Sequence, residues 1–306
     1  MKAIGESIHV ISPAVRTAIE GRDKNFIQDL AKRQIASGAN ILDLNIGPQK
    51  KAGPDVMDWM VRTVQEVTDV PLSLDTTNPL AIEAGLKAVR GKAIINSTDA
   101  TPERLATLMP MAAKYGQCII ALTYGGKSLP TSVDQRVELA VDKIVSAAAE
   151  HNVPMENIYL DPLVLTVNGN QDQALQTIEA IRCFKQMIEP SPLTTCGLSN
   201  ISNSCPNELR PLVNEVFLVM MLGAGLDAPI VDVFDPELMR IPKIIESRDA
   251  STPVNKVYLD IYDTYAAGGR YDATGVDMSN PKVSDVVKTC HILEGKSLYA
   301  HGYLKL

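Results

Sequence analysis

A chain of 306 residues with 45% apolar and 21% charged side chains has enough core-forming residues for one large barrel or two ordinary domains, which excludes wholesale disorder. Its net charge of -7 argues against a nucleic-acid partner, which needs a basic face, but leaves room for an anionic small molecule. No apolar run approaches the roughly 20 residues that cross a bilayer, and Glu6 interrupts the short apolar N-terminus before it could act as a signal peptide, so a cytoplasmic protein without membrane association is expected.

Ala3–Ile8 reads as a first strand, ending in Glu6, Ser7 and His9. Helical patterns follow at Ser12–Glu20 and Lys24–Ser37, the second stopped by Gly38. Ala39–Gly47 is a second strand with Asp43 and Asn45 inside it. Pro54 then opens a helix whose Val56, Met60, Val64 and Val67 share one face. Pro71–Thr77 is a third strand, and Asn78-Pro79 caps the next helix. Ala93–Asp99 is a fourth strand, followed by a cap at Thr101-Pro102. Gln117–Tyr124 is a fifth, followed by a Gly-rich loop over Gly125–Pro130. Thr131 and Asp134 read as a capping box at the start of a long helix that reaches His151.

Ile158–Val164 is a sixth strand, with a helix over Gln171–Met187. The seventh begins at Leu193 and ends in the polar run Asn200-Ile-Ser-Asn-Ser204, after which Asn207 starts a helix. Leu226–Phe234 is an eighth strand, and Asp235-Pro236 caps a last helix. The strands are short and apolar on both faces, as buried parallel strands are. Strand–helix alternation with Pro-marked caps predicts an α/β fold, a (β/α)8 TIM barrel over residues 1–248. A doubly wound sheet would want a Gly-rich phosphate loop after the first strand, and Gly5-Glu-Ser-Ile-His is not one. Residues 249–306, rich in tyrosine, form a C-terminal extension packed on the barrel or on a second subunit.

The five cysteines are scattered with no CxxC pair, so they read as buried or inert thiols and no metal site is expected. The chemistry is expected at the strand ends. Asp75, Asn96, Asp161 and Asn200 come from four strands that open on one mouth. Two carboxylates and two amides suit a flat heterocycle edged with alternating donors and acceptors, and a carboxylate can accept two parallel N–H bonds from such an edge. The bland reading is that each residue caps a helix or closes a loop. Glu6 is either a pocket acceptor or a partner for a lysine. Asp43 and Asn45 are either pocket residues or polar groups of the barrel layers.

Leu42-Asp-Leu-Asn-Ile-Gly47, Leu74-Asp-Thr-Thr-Asn78, Ile95-Asn-Ser-Thr98, Leu160-Asp-Pro-Leu163 and Gly197-Leu-Ser-Asn-Ile-Ser202 resemble the pterin-binding methyltransferases. In particular they are similar to the methyltetrahydrofolate:corrinoid (iron–sulfur) protein methyltransferases of acetogenesis and O-demethylation; the folate domain of cobalamin-dependent methionine synthase is a more distant relative. The resemblance covers about residues 1–248 and does not extend to the C-terminal segment. It implies that Asp75, Asn96 and Asp161 bind the pterin edge of tetrahydrofolate or 5-methyltetrahydrofolate. It places Asn200 near N5, Gly197 and Ser199 against the ring, and Asn203 as a further contact. With Glu6 and Ser202 these make the candidate site, Asn200 and Asp161 being its catalytic members. The spacing from Asn203 to Arg210 departs from the family pattern, so Arg210 is not carried over as a contact to the folate tail.

The implied reaction moves a methyl group between N5 and the cobalt of a corrinoid. None of His9, His151, His291 and His301 stands in the Asp-x-His-x-x-Gly pattern that holds a corrinoid, so the cobalamin is expected on a partner protein. The family also implies a homodimer. Two alternatives differ in class. A dihydropteroate synthase would need a basic ending on strand seven and an Arg-x-His on strand eight, where this chain reads Leu198-Ser-Asn200 and Ile230-Val-Asp-Val-Phe234. A non-catalytic folate-binding subunit would keep Asp75 and Asp161 but have no use for Asn200.

Overall fold

The structure, a computed structural model, describes residues 1–305. Eight parallel strands close into a barrel in sequence order: β1 (Ile4–His9), β2 (Ile41–Asn45), β3 (Leu72–Asp75), β4 (Ala93–Asp99), β5 (Cys118–Leu122), β6 (Ile158–Asp161), β7 (Leu193–Gly197) and β8 (Ala228–Val231), which returns to β1. The (β/α)8 barrel expected from the strand–helix alternation is therefore present. Ile4, Ile41, Ile94, Ile120, Tyr159 and Ala228 form a separate buried cluster near the strand starts. A much larger apolar layer lies between the strands and the surrounding helices. The apolar strand residues fill the barrel from below and leave its other end, where the strands finish, for polar side chains.

Helices α1 (Pro13–Glu20), α2 (Lys24–Ala36), α3 (Gly53–Gln65), α4 (Pro79–Ala88) and α5 (Pro102–Tyr115) occupy the first half of the chain. The Asn78 side chain accepts the Leu80 N–H at the start of α4, an N-cap with Pro at the first helical position. Gly116 ends α5 in the left-handed conformation at φ 61°. The cap expected at Thr101 is not made by its side chain, because both its N–H and its hydroxyl turn back to Asp99 Oδ1.

The next helix runs as α6 (Val133–Glu138), a π-helical stretch over Leu139–Val145, and α7 (Ser146–Glu150). Its capping box lies one residue later than Thr131 and Asp134. Ser132 accepts from Gln135 N–H, and Gln135 Oε1 reaches back to Thr131 N–H. The bond back from Gln135 therefore falls on the residue before the cap and not on the cap's own N–H. In α8 (Val167–Met187), Asn168–Asn170 are not helical, and regular turns begin only after them, where the sequence places the helix.

After β7 the chain makes a 3-10 turn over Leu198–Ser202, and α9 (Arg210–Ala224) begins three residues later than Asn207, with Pro211 in its first turn. Asp235 caps α10 (Pro236–Ser247) by accepting from Glu237 and Leu238 N–H.

Beyond residue 248, α11 (Pro253–Ala266) and α12 (Pro281–Leu293) lie against α9 and α8. Gly223 permits the close approach of α11, since a Cβ there would meet Tyr262 O at 2.6 Å. Tyr258 donates to Glu215 in α9 at 2.6 Å. No helix among the described residues is long and apolar enough to cross a membrane.

Candidate functional site

The strand register brings Asn45, Asp75 and Asn96 to one level on three adjacent strands, since Asn45 pairs with Asp75 and Asp75 with Asn96. Asp43 lies two residues earlier on β2 and therefore shares a face with Asn45. Asn96 donates Nδ2 to Asp43 Oδ1 at 3.0 Å, Asn45 donates to Asp75 Oδ2, and the Asp43 and Asp75 carboxyls stand close enough to influence each other's charge. Four polar groups thus gather here, Asp43 and Asn96 buried and Asn45 and Asp75 half-buried, and Asp43 is bonded to a candidate site residue, Asn96. Burial pushes the Asp75 carboxyl up to about 6, opposed by its bond from Asn45 and by the neighbouring Asp43. Burial, and then the Asp75 charge, hold the Asp43 carboxyl well above the usual range.

Asp161 stands on the other side, with 6% of its surface exposed. Its Oδ1 accepts the Leu163 N–H at 2.7 Å, and Oδ2 has no protein donor among the described residues. Burial raises the carboxyl to about 7, against the opposing pull of the Leu163 N–H and of the Arg136 charge. Cys196 on β7 feels the charges of both Asp161 and Glu6, and its thiol is buried and held well above its usual value.

Glu6 accepts a hydrogen bond from Ser199 Oγ at 2.6 Å and pairs with no lysine among the described residues. Burial raises its carboxyl, Ser199 lowers it, Asp232 raises it and Arg210 lowers it. Glu6 and Ser199 line a side cavity of about 260 Å³ together with Arg210, Asn214 and Asp232. Ser202, the last residue of the 3-10 turn, is fully buried. It donates to Ser199 O at 3.2 Å and accepts from Arg210 Nε at 3.3 Å. Ser202 and Arg210 thus brace the turn.

Asn200 is exposed at the tip of that turn. Asn203 donates Nδ2 to Asn200 Oδ1 at 3.2 Å, which leaves the Asn200 amide N–H groups free. The Asn200 Nδ2 lies over Gly197, only 3.0 Å from where a Cβ would stand. Gly197 at this point keeps the end of β7 open for the amide. Gly197→Ala is therefore expected to displace Asn200 and to cut the activity of the site by about tenfold, on the scale of a misplaced catalytic group. Steady-state kinetics beside a thermal melt would check this.

The structure thus links Asp43 with Asn96, Asp75 with Asn45, Glu6 with Ser199, and Asn200 with Asn203 and Gly197. No hydrogen bond among the described residues joins Asp161 or Asn200 to the Asp43 cluster. Sequence reasoning does not select Arg136, which is fully buried behind Asp161. One signal is present, because Arg136 occupies the stripe of Ala140 and Ile144, where an apolar residue belongs. No cluster of three or more His, Cys, Asp or Glu able to hold a metal ion occurs among the described residues.

Residues 15–232 match the family described as pterin binding enzyme. The chain is 28% identical over 241 residues to a methylcorrinoid:tetrahydrofolate methyltransferase of Eubacterium limosum, covering 78% of this chain and 88% of that protein. It is 31% identical over 229 residues to methionine synthase of Mycobacterium leprae (strain TN), covering 72% of this chain but only 19% of that much longer protein. Among solved structures, dihydropteroate synthase from Stenotrophomonas maltophilia with active site-bound imidazole superposes with a TM-score of 0.60 at 15% identity, over 81% of this chain and 94% of that one. The Thermus thermophilus dihydropteroate synthase in complex with 6HMPPP gives a TM-score of 0.56 at 19% identity, over 80% of this chain and 93% of that one. At such identities these two likenesses speak to the fold alone.

Proposed function

This chain belongs to the pterin-binding enzyme family, and we propose that it transfers a methyl group between N5 of tetrahydrofolate and the cobalt of a corrinoid carried by a partner protein. The observation that carries this reading is the pairing of an acidic, amide-rich strand-end cluster with a neutral amide, Asn200, held at the rim with its donors free. The similarity to the Eubacterium limosum enzyme supports it.

The residues fit a pterin. Asp161 offers Oδ2, and the Asp43, Asp75 and Asn96 cluster offers acceptors and one amide to a 2-amino, N3–H edge, where a carboxylate takes charge-assisted bonds. The corrinoid supplies the methyl acceptor or donor. The chain's own task is at N5. A tertiary amine leaves poorly, so N5 needs a proton or a strong hydrogen bond as its bond to carbon weakens. Interactions present only at that stage accelerate the reaction. Asn200 is assigned the donor to N5, and Asn203 holds its orientation. Glu6, Gly197, Ser199 and Ser202 shape the adjoining wall. Assembly as a homodimer is part of the same reading.

The dihydropteroate synthase alternative finds no support at the ends of β7 and β8. Gly197–Asn203 and Ile230–Phe234 carry no basic side chain to hold a pyrophosphate. The test is spectroscopic. 5-Methyltetrahydrofolate, a Co(I) corrinoid and the chain are mixed without oxygen. Loss of the Co(I) absorbance band only when all three are present supports methyl transfer. A band that persists at catalytic protein concentration rejects it.

The raised carboxyls add a pH dependence. Folate donors bind the ionised forms of Asp161 and Asp75, which burial places at about 7 and about 6. Protons therefore compete with folate, and affinity should fall as pH drops through that window, by about tenfold per pH unit once one carboxyl is mostly protonated. Calorimetric titrations with 5-methyltetrahydrofolate across the two titrations check this, and an affinity flat across the window would contradict it.

A further inference from the structure

Arg136 has no surface exposure at all, an expensive place for a cation unless it has work to do. Its Nε donates to Pro162 O at 2.7 Å, Nη2 to Gln173 Oε1 at 3.1 Å and Nη1 to Ser132 O at 3.3 Å. The first bond falls on the residue after Asp161. The turn it grips is unusual, because Leu163 sits at φ 65°, a left-handed conformation that a leucine adopts only when its surroundings impose it. That conformation aims the Leu163 N–H at Asp161 Oδ1. Thr123 fixes the same residue from the end of β5, its N–H and hydroxyl both donating to Asp161 O. One carboxylate oxygen is thereby tied to the protein and the other is left for a ligand.

We propose that Arg136 is a positioning residue for Asp161: from inside the core its guanidinium pins the Asp161-Pro162-Leu163 turn and places a positive charge behind the carboxylate that receives the pterin. The inference rests on the folate reading above and adds to it a residue outside the mouth. Three titratable groups bear on this arrangement. Arg136 faces Asp161 from α6, Asp172 on α8 faces Arg136, and Cys196 faces Asp161 from β7. Burial lowers Arg136 to about 10, so it stays charged at neutral pH. Gln173, its neutral partner, is itself held by Thr131 O and Asp172. Asp75 and Asp43 lie in the other cluster and should not respond to a change at Arg136.

The test is the affinity for 5-methyltetrahydrofolate as a function of pH, measured on the full chain with Arg136→Gln and Arg136→Lys. Arg136→Gln is expected to weaken binding about tenfold and to move the acid midpoint upward by about one pH unit, the scale of one nearby charge. Arg136→Lys keeps the charge but loses the three-way grip. It should bind more weakly with its midpoint close to that of the wild type. A purely structural role would lower the melting temperature and leave the midpoint in place. Should Arg136→Gln fail to fold, Gln173→Glu decides, because it sets an opposing charge beside an intact guanidinium and should raise the midpoint in the same way. An unmoved midpoint in whichever of these two variants is read overturns the inference. A wild-type chain that binds no folate removes the functional reading and this inference with it, whereas binding with an unmoved midpoint removes the inference alone.

Discussion

Replacing Asn200 with Ala is expected to lower the turnover of methyl transfer by about 10²–10³-fold, the cost of one preorganised donor to a developing charge. Affinity for folate should change far less, within about tenfold, because the proposed reading gives the pterin edge to Asp161 and the Asp75–Asp43–Asn96 cluster rather than to this amide. The fold should be indifferent. Asn200 is exposed, and its only side-chain hydrogen bond among the described residues is with exposed Asn203. Single-turnover decay of the Co(I) band and a calorimetric titration on the same preparation separate the two effects. Unchanged turnover would remove the catalytic role of Asn200 and favour the non-catalytic folate-binding subunit. Asn203→Ala should follow at smaller amplitude, since it frees the amide to rotate without removing it.

Asp161→Asn should produce effects of opposite sign on binding and on stability. Binding loses a charge-assisted acceptor for the pterin edge, a loss of about 2–3 kcal/mol or roughly 10²-fold in affinity. The unliganded protein should gain stability at neutral pH. Burial raises the Asp161 carboxyl in the folded state to about 7 from 3.8. Between those values the folded chain holds a proton that the unfolded chain has released. This group's contribution is therefore fully present below about 4 and is lost as pH rises through about 7. Removing the ionisation is expected to stabilise the protein by about 1–3 kcal/mol at about pH 8, with the gain shrinking toward zero near pH 4. Thermal melts of both proteins across that range show it. A variant less stable than the wild type on the alkaline side would mean that the carboxylate serves the fold and not a ligand.

The barrel is readable because its punctuation is local. Asn78-Pro79 and Asp235-Pro236 act through their own side chains within one turn, and both caps stand where the sequence puts them. Sequence and structure part where a neighbour decides. The sequence puts the cap at Thr131, but Ser132 takes it by accepting the Gln135 N–H, while Gln135 Oε1 accepts from Thr131 N–H. Helix α9 starts at Arg210 rather than Asn207 because Ser202 and Arg210 brace a 3-10 turn first, a contact across eight residues that no periodicity announces.

The candidate site divides the same way. Strand ends share a mouth once a barrel is accepted, so Asp75 and Asn96 are legible together. Asp43 cannot be chosen over a barrel-layer role from sequence, because strand alternation gives its face and not its partners. The role proposed for Arg136 is invisible there too: only the closed barrel brings it to Pro162 O.

If Asp75, Asn96, Asp161 and Asn200 surround one folate ring, diffraction from crystals grown with 5-methyltetrahydrofolate measures that directly. The pterin's 2-amino, N3–H edge is predicted to lie within hydrogen-bond distance of Asp161 and the Asp75–Asn96 cluster, with N5 within reach of the Asn200 amide. A pterin bound elsewhere on the chain, or bound at the mouth with N5 turned away from Asn200, would contradict it.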